Sequence, residues 1–379
     1  MCGFAGFLME GEPPAYDPQR IIRKMADRIR HRGPDQDDYY VDGRAALGFR
    51  RLSIIDLEGG SQPILNEDGT KVLVFNGEIY NFQAIRDELV EKGHVFRTRT
   101  DSEVLLHGYE EYGPALLDRL RGMYAFVIWD SAAGRLFGAR DIFGIKPFYY
   151  TIANGNLIYA SEIKAILAHP DVRKEVNPIA LENYLTFQYS VLEETFFKGI
   201  FKLMPAHCFT FKDGKMDIKR YWEPVFEADR SKSLEEYVDE IDAAMQDSIK
   251  AHKVADVEVG SFLSSGVDSS YVAACFHGDK TFTVGFDYEK YNEIDYAKAL
   301  SEKIKIDNYS KLISKKEYWD SIPTVQYHMD EPLADASAIA LYFVTKTASE
   351  QVKTCMSGEG ADELFGGYPL YRQAVWAER

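Results

Sequence analysis

The second half of the chain alternates short apolar strands with helical patterns. A predicted strand at 257–263 leads into a loop of small residues and a helix from Ser269, and a strand at 280–286 precedes a helix at 295–304. Helices that follow strands in this order pack on both faces of a parallel sheet. We therefore predict a doubly wound α/β sheet in this part of the chain.

The first two hundred residues follow another pattern, in which strand-like runs are separated by turns. One predicted strand at 71–75 ends at Asn76-Gly77, and another covers 123–129. Between them, residues 81–92 are typical of a helix with Asn81 as its cap. Strands with interspersed helices favour layered α+β packing.

Two domains are expected because 379 residues exceed what one hydrophobic core usually supports. Residues 222–233 are rich in Glu, Asp, Pro and Arg and interrupt the pattern. We place the first domain at 2–212, a linker at 213–233 and the second domain at 234–379.

Composition excludes several classes of protein. The net charge of −16 argues against nucleic-acid binding, which needs clustered Lys and Arg. Apolar stretches fall short of the ~20 residues that cross a membrane. The four cysteines show no C-x-x-C spacing, so neither a disulfide framework nor a cysteine zinc site is indicated. We expect a cytoplasmic protein, and leave open whether it forms a homodimer.

Cys2 is a candidate nucleophile. If Met1 is removed, the new α-amine, with a reference pKa of about 7.7–8.0, can take the thiol proton. On position alone, an incidental buried cysteine is the alternative interpretation.

Several motifs accompany Cys2. They are Met1-Cys2-Gly3-Phe4-Ala5-Gly6, His31-Arg32-Gly33-Pro34-Asp35, Arg51-Leu52-Ser53-Ile54, Asn76-Gly77-Glu78-Ile79-Tyr80-Asn81, Thr100-Asp101-Ser102-Glu103 and Arg140-Asp141-Ile142-Phe143-Gly144-Ile145-Lys146-Pro147. Together they resemble the class II glutamine amidotransferase domain, one of the N-terminal-nucleophile hydrolases, over roughly residues 2–210. The resemblance implies an αββα sandwich.

The same resemblance implies roles for individual residues. The Asn76 side-chain amide and the Gly77 backbone N–H would stabilise the oxyanion formed when Cys2 attacks glutamine. Arg51 would pair with the substrate carboxylate, and Glu78 and Asp101 with its ammonium group. Taken singly, each charged residue has a surface group as its alternative. Asp35 and the loop at 140–147 also match the family, but they could simply shape turns.

A second candidate site is the loop Ser264-Ser265-Gly266-Val267-Asp268-Ser269-Ser270, between a predicted strand and helix. Its hydroxyls and N–H groups would surround a pyrophosphate, while Asp268 could hold Mg²⁺. It is not a Walker A loop, because Gly-Lys-Ser/Thr is missing. A Ser-rich turn is the alternative.

This loop resembles that of ATP-pyrophosphate enzymes, with Ser265 in place of a glycine, so its backbone must suit an L-residue. The segment at 356–368 and the motif Asp330-Glu331-Pro332 resemble sequences of the asparagine synthetase family. The resemblance implies Mg²⁺ binding by Asp268 and Asp362, and ATP binding through Ser264, Ser265, Gly266, Ser269 and Ser357. Leu263, Val284 and Gly358 would line the adenosine pocket, and Ser357 and Glu359 would face aspartate and ammonia.

The implied reaction is glutamine-dependent asparagine synthesis. ATP activates aspartate as β-aspartyl-AMP, and ammonia from glutamine, which should travel inside the protein, displaces AMP. Alternatives are a β-lactam-synthetase-like paralogue, a degenerate glutamine- or nucleotide-binding protein, and a stand-alone glutaminase. Because the family continues beyond the helix expected at 370–378, we expect the chain to be C-terminally incomplete.

Overall fold

A computed structural model describes residues 1–11, 14–227, 229–288, 292–371 and 373. The chain forms two compact units. Unit 1 comprises Met1–Ala228 and Met329–Ala334, and unit 2 comprises Asp229–His328 and Asp335–Arg379. Unit 1 therefore includes a short segment from the second half of the sequence. Within the described ranges, no helix is long and apolar enough to span a bilayer.

Unit 1 contains two sheets, each with six strands among the described residues, and all neighbouring strands pair antiparallel. The first sheet has the order β10 (Phe201–Lys202), β8 (Tyr149–Ala153), β9 (Asn156–Ala160), β1 (Gly3–Leu8), β3 (Ala45–Arg51) and β2 (Gln36–Val41). The second has the order β12 (Lys215–Arg220), β11 (His207–Lys212), β7 (Arg135–Arg140), β6 (Gly122–Asp130), β5 (Lys71–Ile79) and β4 (Ile64–Leu65).

The two sheets share one hydrophobic core. Phe4 and Phe49 of the first sheet cluster with Val74, Val127 and Trp129 of the second, and all five are almost completely buried. Each such side chain contributes about 1.5–3 kcal/mol when it leaves water. Face-to-face packing of this kind makes a sandwich.

Helices cover the outer faces of this sandwich. Helices α1 (Pro18–Asp27) and α4 (Ile163–Ile166) pack on the first sheet. Helices α2 (Phe82–Glu91) and α3 (Glu103–Tyr112) pack against each other, and α3 lies on the second sheet. Helix α5 (Pro178–Phe187) follows α4 in the chain. The predicted αββα sandwich is confirmed.

Strand β5 is longer than predicted. It continues through Asn76 and Gly77 to Ile79, because these residues pair with β6. Asn81 is the N-cap residue of α2 as predicted, but its side chain does not cap the helix. The Asn81 side chain makes no capping bond, and instead accepts from the Arg121 N–H and donates to the Arg119 carbonyl, both at 2.9 Å.

Two segments belong to unit 1 against expectation. Residues 215–220, which we placed in the linker, form β12 and pair with β11 along their whole length, so the linker prediction is wrong there. Asp330 and Glu331, which we placed in the second domain, also belong to unit 1. Asp330 lies 2.9 Å from the Lys164 ammonium, and Glu331 lies 3.0 Å from that of Lys202.

Unit 2 is built on a parallel sheet that begins after α6 (Leu234–His252), which a Ser233–Glu236 capping box starts. In spatial order its strands are β15 (Asp307–Ile313), β14 (Lys280–Phe286), β13 (Val259–Phe262) and β16 (Thr354–Met356). Its other helices are α7 (Val267–Phe276), α8 (Ile294–Ile304), α9 (Lys315–Met329), α10 (Ser337–Ser349) and α11 (Ala361–Phe365).

The strand order of unit 2 reverses between β13 and β16. The chain passes from β13 to β14 and β15 on one side, and returns to pair β16 on the other side of β13. Such a switch point leaves a crevice at the carboxyl ends of the two strands, where open α/β sheets bind ligands. The predicted doubly wound sheet is confirmed. The helix expected at 370–378 falls mostly outside the described residues.

Candidate active site

A cavity in unit 1 brings together the six residues predicted to form the glutamine site. They are Cys2, Arg51, Asn76, Gly77, Glu78 and Asp101. Strands β1, β3 and β5 and the start of α3 position them, because each residue lies in or beside one of these elements. Met1 and Lys146 also line the cavity.

Cys2 lies immediately before β1, with its sulfur against the Leu52 backbone. The Leu52 N–H donates to Sγ at 3.4 Å, and Sγ lies 3.5 Å from the Leu52 carbonyl. Arg32 donates to the Cys2 carbonyl at 2.9 Å and to Glu162 at 2.9 Å, which fixes the backbone on the other side. Burial raises the pKa of the Cys2 thiol.

The Met1 amino group lies next to this thiol. Burial lowers the pKa of this amine to about 5, so it is neutral at physiological pH. A neutral amine can accept a proton, which is the property required of a base beside Cys2.

Asn76 presents a buried donor to the cavity. It is only 1% exposed, and among the described residues its side-chain nitrogen has no hydrogen-bond partner. A buried unpaired donor costs about 1–3 kcal/mol, so its retention requires an explanation. An oxygen that arrives with substrate would provide the missing acceptor.

Gly77 serves the sheet as well as the cavity. A Cβ here would lie 2.2 Å from the Met123 carbonyl of β6. The close approach of β6 by itself excludes a side chain at this position.

The Arg51 guanidinium is fixed by the loop that follows β3. It donates to the Leu57 carbonyl at 3.2 Å, to that of Ile55 at 3.3 Å and to that of Asp56. A Cβ on Gly60 would lie 2.4 Å from this guanidinium, so glycine lets the loop close over it. These carbonyls carry no full charge, so they do not neutralise the positive charge of Arg51.

Asp101 and Glu78 form an acidic end of the cavity. Burial raises the pKa of Asp101 to about 7, and the neighbouring Glu78 also raises it, while the Ile79 N–H opposes this from 2.9 Å. Burial likewise raises the pKa of Glu78. Two carboxylates with this shift would gain from a cationic ligand.

Lys146 is the residue of this site that sequence reasoning missed. It is 4% exposed, and burial lowers the pKa of its ammonium, against the effect of Glu78. Asp141 creates the loop that presents it by accepting from the N–H groups of Ile145 and Lys146, both at 2.9 Å. The signal was present in the loop at 140–147, which we interpreted partly as a turn.

The second candidate site lies at the switch point of unit 2. The loop after β13 contains Ser264, Ser265 and Gly266, and Asp268 lies in the first turn of α7. The loop after β16 contains Ser357, Gly358 and Glu359, and Asp362 lies in the first turn of α11. A Cβ on Gly358 would lie 3.0 Å from both the Asp268 side chain and the Ser269 nitrogen. The structure therefore brings Gly358 and Asp268 together.

The loop after β13 offers consecutive backbone donors. The Ser264 N–H donates to the Ser269 hydroxyl at 3.1 Å, and the Gly266 N–H to the Ser264 hydroxyl at 3.0 Å. Between them, the Ser265 N–H donates to the Glu293 carboxylate at 3.1 Å. The Glu293 carboxylate thus accepts a hydrogen bond from the Ser265 N–H, as a phosphate oxygen would.

Ser265 fits the loop without strain. It is absent from the described non-glycine residues with positive φ, so its backbone suits an L-residue. Leu263 is 3% exposed and packs with Ala273 and Ala297. Val284 is partly buried beside Phe282 and Phe286.

Asp362 is accommodated by a glycine. A Cβ on Gly367 would lie 1.9 Å from one of its carboxylate oxygens. Glu359 and Ser357 are exposed, and the Glu359 N–H donates to the Ser357 hydroxyl at 3.3 Å. Carboxylates, hydroxyls and amide donors at one switch point suit a nucleotide with Mg²⁺.

Comparison with known proteins gives the same division of the chain. Residues 1–222 match the glutamine amidotransferase domain family, and residues 240–379 match the asparagine synthase family.

Individual relatives match nearly the whole chain. Asparagine synthetase [glutamine-hydrolyzing] 1 of Bacillus subtilis is 44% identical over 99% of this chain and 60% of its own length. A putative asparagine synthetase [glutamine-hydrolyzing] of Mycobacterium bovis is 39% identical over 99% of this chain and 61% of its own. A putative asparagine synthetase [glutamine-hydrolyzing] 2 of Methanocaldococcus jannaschii is 33% identical over 97% and 76%.

The chain spans about 60% of the length of the first two of these relatives. Both sequence families are present in the order in which the two units occur. The chain belongs to the family of glutamine-hydrolysing asparagine synthetases.

Proposed function

We propose that the chain catalyses glutamine-dependent asparagine synthesis. Unit 1 hydrolyses glutamine to glutamate and ammonia, and unit 2 uses that ammonia to convert β-aspartyl-AMP, made from aspartate and ATP, to asparagine and AMP. The observation that carries the proposal is the buried, unpartnered amide of Asn76 in the cavity that Cys2 lines. The printed names of the relatives support the same reaction.

In unit 1 the reaction begins at Cys2. After removal of Met1, the Cys2 amine takes the thiol proton, and the sulfur attacks the side-chain amide carbon of glutamine. The oxyanion is stabilised by the Asn76 amide and the Gly77 N–H. The proton then passes to the leaving nitrogen, ammonia departs, and water hydrolyses the thioester.

The charged residues hold the other end of glutamine. Arg51 pairs with its α-carboxylate, for which a guanidinium offers two parallel donors. Glu78 and Asp101 pair with its α-ammonium, whose charge favours their ionised forms. Free glutamine has both charged groups, whereas a glutamine residue within a protein chain lacks them. The site therefore selects the free amino acid.

In unit 2, the switch-point loops bind ATP. Ser264, Ser265, Gly266 and Ser269 donate to the phosphates, while Leu263, Val284 and Gly358 line the adenosine pocket. Asp268 and Asp362 would hold Mg²⁺, which when bound neutralises charge on the departing pyrophosphate. Ser357 and Glu359 face aspartate and ammonia. We place the enzyme in the cytoplasm, because the spacing of its cysteines indicates no disulfide framework.

Isotope transfer tests the proposal. With amide-¹⁵N glutamine, aspartate and MgATP, we expect ¹⁵N in asparagine together with equal amounts of AMP and pyrophosphate. Cys2→Ala should abolish glutamine hydrolysis but keep synthesis from added ammonia. Asp268→Asn should weaken MgATP binding and leave glutamine hydrolysis intact. Label in a product of a different carboxylic acid, or hydrolysis that persists in Cys2→Ala, would contradict the proposal.

A further inference from the structure

A second cluster of titratable side chains lies in unit 1, and the proposed reaction does not use it. Glu67 in the β4–β5 turn, His94 after α2 and His107 on α3 each place one ligand atom within 4.8 Å of the others. His107 is 1% exposed, whereas 41% of the Glu67 side chain is exposed. The cluster is therefore anchored in the interior and open to solvent at one side.

A fourth side chain, Glu110, completes the group. Nδ1 of His107 lies 3.0 Å from Oε2 of Glu110 and 3.8 Å from Oε2 of Glu67. Nδ1 of His94 lies 3.9 Å from the same Glu110 oxygen. Ligands about 2.0–2.2 Å from a tetrahedral zinc ion lie roughly 3.3–3.6 Å from one another. One of the observed separations, 3.0 Å, is shorter than this, and the other two, 3.8 and 3.9 Å, are longer.

The other nitrogen of each histidine faces a carboxylate. Nε2 of His107 lies 3.6 Å from Glu103, and Nε2 of His94 lies 3.5 Å from Glu111. Histidines that ligate metals almost always direct their second nitrogen to such a partner, which orients the ring. Each ring thus directs its second nitrogen at a carboxylate, and the 3.6 Å separation at His107 is longer than a hydrogen bond.

The carboxylates are themselves held in place. Glu103 accepts from the N–H groups of Arg97 and Thr98, both at 2.8 Å. Oε1 of Glu110 accepts from the Asn66 amide at 2.7 Å, which leaves Oε2 directed to the histidines. The geometry is thus fixed by neighbours outside the cluster.

The charge of the cluster also favours a cation. Four carboxylates surround the two rings: Glu67, Glu103, Glu110 and Glu111. Lys71 and Lys92 each face one of them and offset part of this charge.

We propose that Glu67, His94, His107 and Glu110 form a binding site for a divalent transition-metal ion such as Zn²⁺. Two imidazole and two carboxylate ligands suit zinc, whereas Mg²⁺ prefers oxygen ligands alone. The ion joins the β4–β5 turn and the segment at 93–102 to α3. That segment contains Asp101, so the ion stabilises the backbone that presents a carboxylate of the proposed glutamine site.

Zinc titration of the chelator-treated full chain tests this site independently of catalysis. We expect one Zn²⁺ per chain by calorimetry and elemental analysis, and a higher unfolding midpoint in its presence. Co²⁺ in place of zinc should show the strong visible absorption of a tetrahedral site. Mg²⁺ should produce none of these effects.

Variants decide between a site and adventitious binding. His94→Gln and the partly exposed Glu67→Gln should lose most of the affinity. Glu111→Gln, which alters an outer contact of His94 and the ion pair with Lys92, should lose about 10–100-fold. The exposed His277→Asn is the matched control and should bind zinc as the unchanged chain does. The proposal would be overturned if the unchanged chain did not bind Zn²⁺. It would also be overturned if Glu67→Gln and His94→Gln bound Zn²⁺ as tightly as the unchanged chain.

Discussion

The ammonium nitrogen of Lys146 lies 3.2 Å from the sulfur of Met1, inside the cavity that Cys2 also lines. The Met1 side chain therefore occupies space beside the Cys2 thiol. While Met1 is present, the α-amine next to that thiol belongs to Met1 and not to Cys2. We predict that the active protein has lost Met1, because removal both opens the cavity and transfers the amine to Cys2. Intact mass and N-terminal sequencing, measured beside glutamine hydrolysis, check this. Full activity in a preparation that keeps Met1 would refute it.

Asn76→Ala should lower kcat for glutamine hydrolysis about 10²–10³-fold with little change in KM, because its amide acts on the oxyanion rather than on bound substrate. The control is Asn183→Ala on α5, whose amide donates to the Ile179 carbonyl away from the cavity. Steady-state kinetics on folded variants provide the measurement. A change in KM alone would assign Asn76 to substrate binding instead.

Hydrolysis should weaken as the pH falls. The pKa of Asp101 is raised to about 7, so below that pH Asp101 becomes protonated and cannot pair with the substrate ammonium. We expect kcat/KM for glutamine to fall on the acid side with an apparent pKa near 7, and the fall to be reduced in Asp101→Asn, which should have a higher KM throughout. A flat profile between about pH 5 and 8 would exclude this role.

Lys146→Met should make the loss of activity on the acid side begin at higher pH, because Glu78 also pairs with the substrate ammonium and must be ionised to do so. The Lys146 cation lowers the pKa of Glu78 against the effect of burial, so its loss lets this pKa rise further. The exposed Lys174→Met is a control for removal of one positive charge. Profiles of kcat/KM against pH for the three proteins give the answer, and an acid limb that stays in place would contradict the proposed contact.

Gly358→Ala should weaken ATP binding and leave glutamine hydrolysis unchanged. The new Cβ would lie 3.0 Å from the Ser269 backbone nitrogen, so the two switch-point loops would have to separate. Gly43→Ala is the matched control, since nothing lies within 4 Å of a Cβ there. Calorimetry with MgATP compares them. Equal affinity for the two variants would remove Gly358 from the nucleotide site.

Periodicity predicted the regular elements well where local sequence determines them. Strand β14 has the predicted bounds, and α8 begins one residue before the predicted Asp295. Strand β5 was cut short at Asn76-Gly77 because that dipeptide usually forms turns. Here pairing with β6 on one side keeps the backbone extended, and this tertiary contact cannot be read from local propensity.

The glutamine site was predicted from motifs, and the part that was missed depends on long-range packing. Lys146 lines the cavity because hydrogen bonds to Asp141 shape the loop that carries it. Met1, just before β1, lies beside its ammonium group. The Glu67, His94 and His107 cluster was missed for a similar reason. Its members lie far apart in the sequence, and these residues come together only when α2 and α3 pack against each other.

The segment Met329–Ala334 has a practical consequence for dissecting the gene. A fragment that stops after β12 would lack Asp330, which pairs with the ammonium of Lys164, and Lys164 is only 8% exposed. Simple truncation would therefore remove one acidic partner of a buried cation, at a cost in stability. An internal deletion that keeps 329–334 is the better design for expressing unit 1 by itself.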